Sequence, residues 1–133
     1  MPINSKQKGA RGEREWASFC REQGYTGAYR GQQYNGAKGN ADVEGLPGIH
    51  VEVKRVEALR LYDALAQAKH DARPGEVPIV AHRKNNCPWV VIMDAEHWFN
   101  LYREWEAGQA LPFTDAHEPT EDELDDLFRP VGD

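Results

Sequence analysis

The sequence feature that most constrains the fold is a short alternating segment, residues 49–54, which follows a turn signal. Because side chains alternate along a strand with a period of two, its three apolar residues face one side, and His50, Glu52 and Lys54 face the other. The apolar side predicts a sheet that packs against a core. The other side carries a carboxylate and a lysine two residues apart, a pair that a plain solvated strand does not need.

The turn that precedes this strand sets what lies beside Glu52. Residues 45–48 read Gly-Leu-Pro-Gly, in which Pro fixes one φ angle and Gly can adopt a positive φ. If residues 46–48 form a three-residue loop with Gly48 left-handed, Asp42 lies opposite Glu52 and the two carboxylates share a face. A two-residue loop would turn the carboxylates to opposite faces. We predict the three-residue or bulged loop.

Two carboxylates and a lysine on one sheet face indicate a metal-dependent phosphodiester site. Mg²⁺ prefers hard oxygen ligands, typically one or two carboxylates with water and substrate phosphate. A neighbouring ammonium can orient the attacking water or offset charge on the phosphate. The alternative is structural: Asp42 would be a polar residue at a strand start, and Glu52 and Lys54 would belong to a solvated face.

The length and composition predict one soluble domain. The chain has 133 residues, which suffices for one core, and no apolar run approaches the length of a membrane span. Its first residues lack the apolar segment of a signal peptide. Cys20 and Cys87 have no metal-ligand spacing, and the five His show no zinc pattern. We therefore expect reduced thiols, no membrane association and a cytoplasmic location.

The charge is unevenly distributed. The net charge is −6, but residues 111–133 contain eight acids and one base, so the remainder has a net charge of +1. Residues 1–39 hold seven Lys or Arg against three Glu, next to the proposed site, as contact with a phosphate backbone would require. We predict a domain over residues 1–110 and an acidic tail over 111–133, partly helical or disordered. The tail could aid solubility, bind a partner or compete with DNA.

The rest of the chain predicts an α/β fold, a mixed central sheet flanked by helices. Helical patterns cover residues 10–23, 58–72 and 95–107, and buried strands are expected over 77–83 and 89–93. The second helix is expected to bury a stripe that contains Leu61, Tyr62, Leu65, Ala68 and Ala72. A capping box at residues 120–123 predicts a further short helix.

Two polar features accompany these elements. Glu13 precedes Trp16 by three residues and therefore shares the buried stripe of the first helix, where a carboxylate is costly unless it is paired or faces a metal. The Gly-, Gln- and Tyr-rich residues 25–38 suit a loop that contacts substrate, although an ordered surface loop is the alternative. Gln67, on the second helix, can support the site if that helix starts beside Lys54.

The order of these features resembles the PD-(D/E)XK nucleases and, more narrowly, their Holliday-junction-resolvase branch, including small phage members. The likeness covers about residues 6–105. It rests on Gly9-Ala10-Arg11-Gly12-Glu13-Arg14, Arg30-Gly31-Gln32-Gln33-Tyr34, Asp42, and Gly45 through Glu52-Val53-Lys54-Arg55. Two positions depart from the pattern: Ala41 replaces the usual Pro, and no Ser lies between Phe19 and Lys54, whereas archaeal resolvases use a loop Ser.

The resemblance implies a restriction-endonuclease-like core and a catalytic set of Glu13, Asp42, Glu52 and Lys54. Mg²⁺ or Mn²⁺ would be held by Asp42, Glu52 and the Val53 carbonyl, and Lys54 would position the water. It also implies a homodimer, because symmetric cleavage of a four-way junction needs two sites related by a two-fold axis. The expected interface is residues 90–92 or the helix that carries Trp98, Phe99, Leu101, Tyr102 and Trp105.

Three functions are therefore open: an endonuclease for branched DNA, a less structure-selective endonuclease for duplex DNA, and a catalytically silent DNA-binding protein. The intact set of four site residues argues against the third, because a silent protein has no need of all four, and the resemblance makes the first our leading hypothesis. In each case we predict that the DNA contacts are made by the basic residues and loop amides near the site, namely Lys6, Lys8, Arg11, Arg14, Arg30, Gln32, Gln33, Tyr34, Lys38 and Arg55.

Overall fold

The structure, a computed structural model, describes residues 5–31, 41–109 and 120–127, and the side chains of all of these except residues 5–8 and 127. The chain divides into two compact units, Met1–Trp98 and Phe99–Asp133. The boundary predicted after residue 110 and the character of the acidic tail stay predictions.

The first unit is a small α/β domain with a five-stranded mixed sheet. The strands lie in chain order across the sheet, and every neighbouring pair is antiparallel except the third and fourth, which are parallel and joined by a crossover helix. This confirms the predicted mixed sheet flanked by helices. The elements of the two units are α1 (Ser5–Glu22), β1 (Tyr29–Arg30), β2 (Val43–Glu44), β3 (Ile49–Lys54), α2 (Leu61–Asp71), β4 (Val77–His82), β5 (Val90–Ile92), α3 (Ala95–Gly108) and α4 (Glu121–Leu127).

One face of the sheet packs against α1 through an apolar core. The helix lies against β1, β2 and β3, and its Trp16 and Cys20 are buried against Val51 and Val53. The Trp16 indole also meets the ring of Trp89 edge-on, with the centroids 5.1 Å apart. Burial raises the pKa of the Cys20 thiol above its ordinary value, so this thiol stays protonated and packs as an apolar group.

The other face packs against α2, which lies over β3 and β4. Its apolar cluster is small: Ala64, Leu65 and Ala68 of the helix pack with Val80 of β4. The β3 residues on this face are polar yet buried, because both faces of this central strand are covered. The structural alternative, in which Glu52 and Lys54 belong to a solvated face, is therefore wrong for Glu52, because this part of the polar face is enclosed.

Two expectations about burial and one about a helix boundary were wrong. Tyr62 is 84% exposed because α2 begins only at Leu61, so the first turn of the helix lies at the end of the region that covers the sheet. Val90 and Val91 are about half exposed, because β5 is the edge strand of the sheet. The first helix also begins earlier than predicted, at Ser5.

The second unit contains most of α3 together with α4. None of the side chains of α3 is buried. The capping box predicted before α4 is present: the Glu123 amide donates to Thr120 Oγ1, and the Thr120 amide donates to the Glu123 carboxylate. Within the part of the chain that the structure describes, no helix combines the length and the apolar character needed to cross a membrane.

Candidate active site

The β2–β3 hairpin brings the two predicted carboxylates together. Val43 pairs with Val51, which is the register that a three-residue loop at residues 46–48 produces, and Gly48 has the expected positive φ of 85°. The prediction of this loop is confirmed. Asp42 and Glu52 consequently approach closely enough for their carboxyl groups to share a hydrogen bond, and both residues are buried.

Asp42 is held in place by the backbone of both neighbouring strands. Its amide donates to the Val51 carbonyl at 3.0 Å, and the Val53 amide donates to Asp42 Oδ2 at 2.8 Å. On the other side, the Gly31 amide donates to the Asp42 carbonyl at 2.8 Å. A Cβ on residue 31 would lie 2.1 Å from the Ala41 carbonyl oxygen, so this approach requires glycine.

Glu13 reaches the same region from α1. It is buried, as the helical stripe predicted, and its carboxylate forms an ion pair with the Arg30 guanidinium. Gly12 allows this arrangement, because a Cβ there would come within 2.6 Å of the Arg55 Cβ at the end of β3. The helix can therefore lie close to the strand that carries Glu52. This packing role of Gly12 is not evident from the sequence.

The site is electrostatically crowded. The pKa of Asp42 is raised from 3.8 to about 7, chiefly by burial and then by repulsion from Glu52, with a smaller contribution from Glu13, against the opposing effect of the Val53 amide. At neutral pH the metal-free site therefore holds a proton on Asp42 for much of the time. A bound cation would replace that proton.

His50 is the residue whose place in the site sequence reasoning missed. Its side chain is fully buried, and its Nε2 lies 3.2 Å from Glu52 Oε1. This hydrogen bond, opposed by burial, raises the pKa of His50 above its ordinary value. The available signal was its position two residues before Glu52, on the same strand face, whereas the histidines were considered only as zinc ligands.

Lys54 and Gln67 line one shallow cavity of about 270 Å³ between the end of β3 and the start of α2. Arg60 and Asp63 line it as well. The condition set for Gln67, that its helix should begin beside Lys54, is therefore met. Both side chains border a space that a substrate group could enter.

The predicted DNA-binding residues divide into three groups. Arg11 and Arg14 are exposed on α1. Arg30 and Arg55 are engaged within the protein: Arg30 with Glu13, and Arg55 with Glu15, Asn85 and the Arg83 carbonyl. The others lie outside the residues whose side chains the structure describes: Lys6, Lys8, Gln32, Gln33, Tyr34 and Lys38.

The donor set suits a divalent cation of the Mg²⁺ type. Asp42 and Glu52 supply carboxylate oxygens, and a bound cation would relieve their mutual repulsion. Across residues 5–31, 41–109 and 120–127, no group of three or more His, Cys, Asp or Glu side chains forms a preformed metal cage. A site of two carboxylates and one backbone carbonyl does not require such a cage, because Mg²⁺ usually keeps several waters.

In comparisons with known proteins, no protein-family model, no curated protein and no solved structure matches the chain.

Proposed function

We propose that this protein is a metal-dependent endodeoxyribonuclease of the PD-(D/E)XK type, with a restriction-endonuclease-like core, that cuts branched DNA in the manner of Holliday junction resolvases. The observation that carries the proposal is the buried pair of Asp42 and Glu52 carboxyls, with Lys54 two residues further along the same strand face. Burying two repelling acids is costly, and a structural role does not account for that cost.

In this proposal Asp42, Glu52 and the Val53 carbonyl hold Mg²⁺ or Mn²⁺. The ion, when bound, acts as a Lewis acid on a phosphate oxygen and favours deprotonation of water. The chain itself supplies position: the Val53 amide fixes Asp42 Oδ2, and the strand fixes Glu52 beside it. Glu13, which carries a charge near Asp42, completes the acidic set.

Lys54 positions the water that attacks phosphorus and offsets the negative charge that develops there. The water oxygen forms a new P–O bond, one P–O ester bond breaks, and the released alcohol takes up a proton. The products are a phosphate monoester and a hydroxyl end. The cavity shared by Lys54 and Gln67 offers room for the part of the substrate next to the reacting phosphate.

The selectivity for branched DNA and the homodimer come from the family resemblance. Arg11 and Arg14 are exposed on α1, the helix that also carries Glu13, and would contact the phosphate backbone. A dimer would place two such sites on one junction.

The test uses a labelled four-way junction and a matched linear duplex, each with Mg²⁺ or with a chelator. The variants are Glu52→Gln, which keeps the volume and removes the charge, and Glu22→Gln, which changes an exposed acid on α1 as a control. We expect paired nicks in the junction alone, lost with chelator and in Glu52→Gln but kept in Glu22→Gln. Equal cutting of both substrates would contradict junction selectivity. If neither substrate is cut with Mg²⁺ or with chelator, the nuclease function is contradicted.

A further inference from the structure

His50 occupies a place that packing alone does not explain. Its side chain has no exposed surface, and in the described part of the chain its Nδ1 has no hydrogen-bond partner. A buried imidazole with one unpaired nitrogen costs more than an apolar side chain of similar volume would at the same position. The buried apolar cluster on the same face of the sheet includes Leu65 and Val80.

The single hydrogen bond that His50 makes connects it to Glu52. An ionised carboxylate is only an acceptor, so Nε2 carries the hydrogen and donates to Glu52 Oε1. This buried hydrogen bond occupies one of the two carboxylate oxygens of Glu52. The Glu52 carboxyl is thereby held beside Asp42, with which it shares a hydrogen bond.

A second carboxylate lies on the far side of the ring. Glu76 Oε1 is 3.9 Å from His50 Nδ1, and it accepts a hydrogen bond from the Arg73 amide at 2.7 Å. The turn that carries Glu76 is tied to the hairpin, because the Val77 amide donates to the Gly48 carbonyl at 2.8 Å. The imidazole is therefore set between two carboxylates whose backbones are fixed to each other.

We propose that His50 is a positioning residue that orients the Glu52 carboxylate toward the divalent metal, with Glu76 backing the opposite edge of the ring. This inference rests on the proposed nuclease function, since it assigns His50 to the same metal site. Residues that hydrogen-bond to metal ligands typically contribute 10- to 100-fold to metal affinity or activity. His50 reaches the metal only through Glu52.

The experiment titrates the full chain with Mn²⁺ alone in a calorimeter, so the measurement does not depend on cleavage. His50→Leu removes the donor and retains apolar volume, whereas His50→Gln retains an amide N–H at a comparable reach. We expect Mn²⁺ affinity to fall roughly 10- to 100-fold in His50→Leu, and to recover at least in part in His50→Gln. If the Leu variant does not fold, His50→Asn replaces it, because its shorter amide does not reach Glu52.

Two controls separate positioning from general disruption. Leu65→Ala removes buried volume from the same α2-facing layer, and it should lower the unfolding temperature without changing Mn²⁺ affinity. Glu76→Gln should reduce Mn²⁺ affinity less than His50→Leu does. An equal or larger loss in Glu76→Gln would overturn the proposal, because the distant charge would then outweigh the bond to Glu52.

The proposed function and this inference can fail separately. If the wild type binds no Mn²⁺, the metal site itself is wrong. If the wild type binds Mn²⁺ and the variants that lack the Nε2 donor bind it equally well, the metal site stands and the role of His50 is overturned. Loss of affinity without recovery in His50→Gln would also overturn it, because burial of an imidazole rather than donation would then be the property required.

Discussion

The two faces of β3 are both buried but are built for different ends. Val51 and Val53 face α1 in a packed apolar core that includes Trp16. His50 and Glu52 of the same strand are also buried, on the face that packs against α2. The apolar cluster on that face is small. The comparison teaches that burial alone does not identify a stabilising face. Burial of the apolar face stabilises the fold, whereas burial of the polar face destabilises it, because charged groups are held away from water.

The largest effect should come from an acid on the polar face. Asp42→Asn keeps an oxygen that can accept from the Val53 amide but removes the charge, so we expect cleavage to fall about 1,000-fold, several kcal/mol of transition-state stabilisation. Metal-free stability at pH 8 should rise, because a repelling carboxylate is gone. Nick formation and thermal unfolding measure the two effects. A variant less stable than the wild type would contradict the functional view of this face.

Trp16→Ala tests the apolar face. It removes a buried ring that packs on Phe19 and Trp89, and we expect it to lower the free energy of unfolding by about 3–5 kcal/mol. Urea unfolding followed by circular dichroism measures the loss. Mn²⁺ affinity of the fraction that remains folded should stay near that of the wild type, and a matching loss of affinity would show that the two faces are not independent.

The pH dependence of stability tests the polar face without mutation, because Asp42 and His50, whose pKa values are raised, belong to that face. The pKa of Asp42 is raised from 3.8 to about 7, so its favourable contribution is complete below pH 4 and is lost as the pH rises through 7. The raised pKa of His50 acts in the same direction, above its ordinary value of 6.5. Metal-free protein should therefore lose stability between pH 4 and pH 8, by an amount on the order of a few kcal/mol.

Mg²⁺ supplies the control for that measurement. A cation that displaces the proton should restore stability at pH 8 and have little effect at pH 4. Unfolding temperatures with and without Mg²⁺ across this pH range give the answer. If Mg²⁺ raises the unfolding temperature equally at both pH values, the ion does not bind at Asp42.

The smallest predicted effect concerns the contact between α1 and β3. Gly12→Ala places a Cβ 2.6 Å from the Arg55 Cβ, and we expect a net loss of about 1–2 kcal/mol after the gain in helix propensity, with reduced cleavage because Glu13 shifts. Gly9→Ala on the same helix meets nothing within 4 Å and should stabilise the protein slightly. Chemical unfolding of both variants tests the pair. If both variants have the same free energy of unfolding, Gly12 does not limit how closely α1 approaches β3.

What the sequence predicts correctly is local. The three-residue loop at residues 46–48 sets the hairpin register, and the helical stripe placed Glu13 on a buried face, because both depend on a few consecutive residues. Thr120 and Glu123 form the capping box for the same reason.

What it missed depends on contacts between distant segments. Tyr62 follows the apolar period of α2, but only the sheet decides which turns are covered. His50 gains its partner Glu76 from a turn that becomes its neighbour only after β3 and β4 pair. Arg55 looked free for DNA, yet Glu15 and Asn85 engage it from two other elements. None of these contacts has a signature within one short segment.

The meeting of Gly31 with Ala41 and Asp42 has a consequence for how this protein can be altered. The Gly31 amide donates to the Asp42 carbonyl, and a Cβ on residue 31 would lie 2.1 Å from the Ala41 carbonyl oxygen. A larger residue at position 31 must therefore displace the backbone that carries Asp42. Substitution of Gly31 thus offers a way to weaken the acidic site without changing any of its acids.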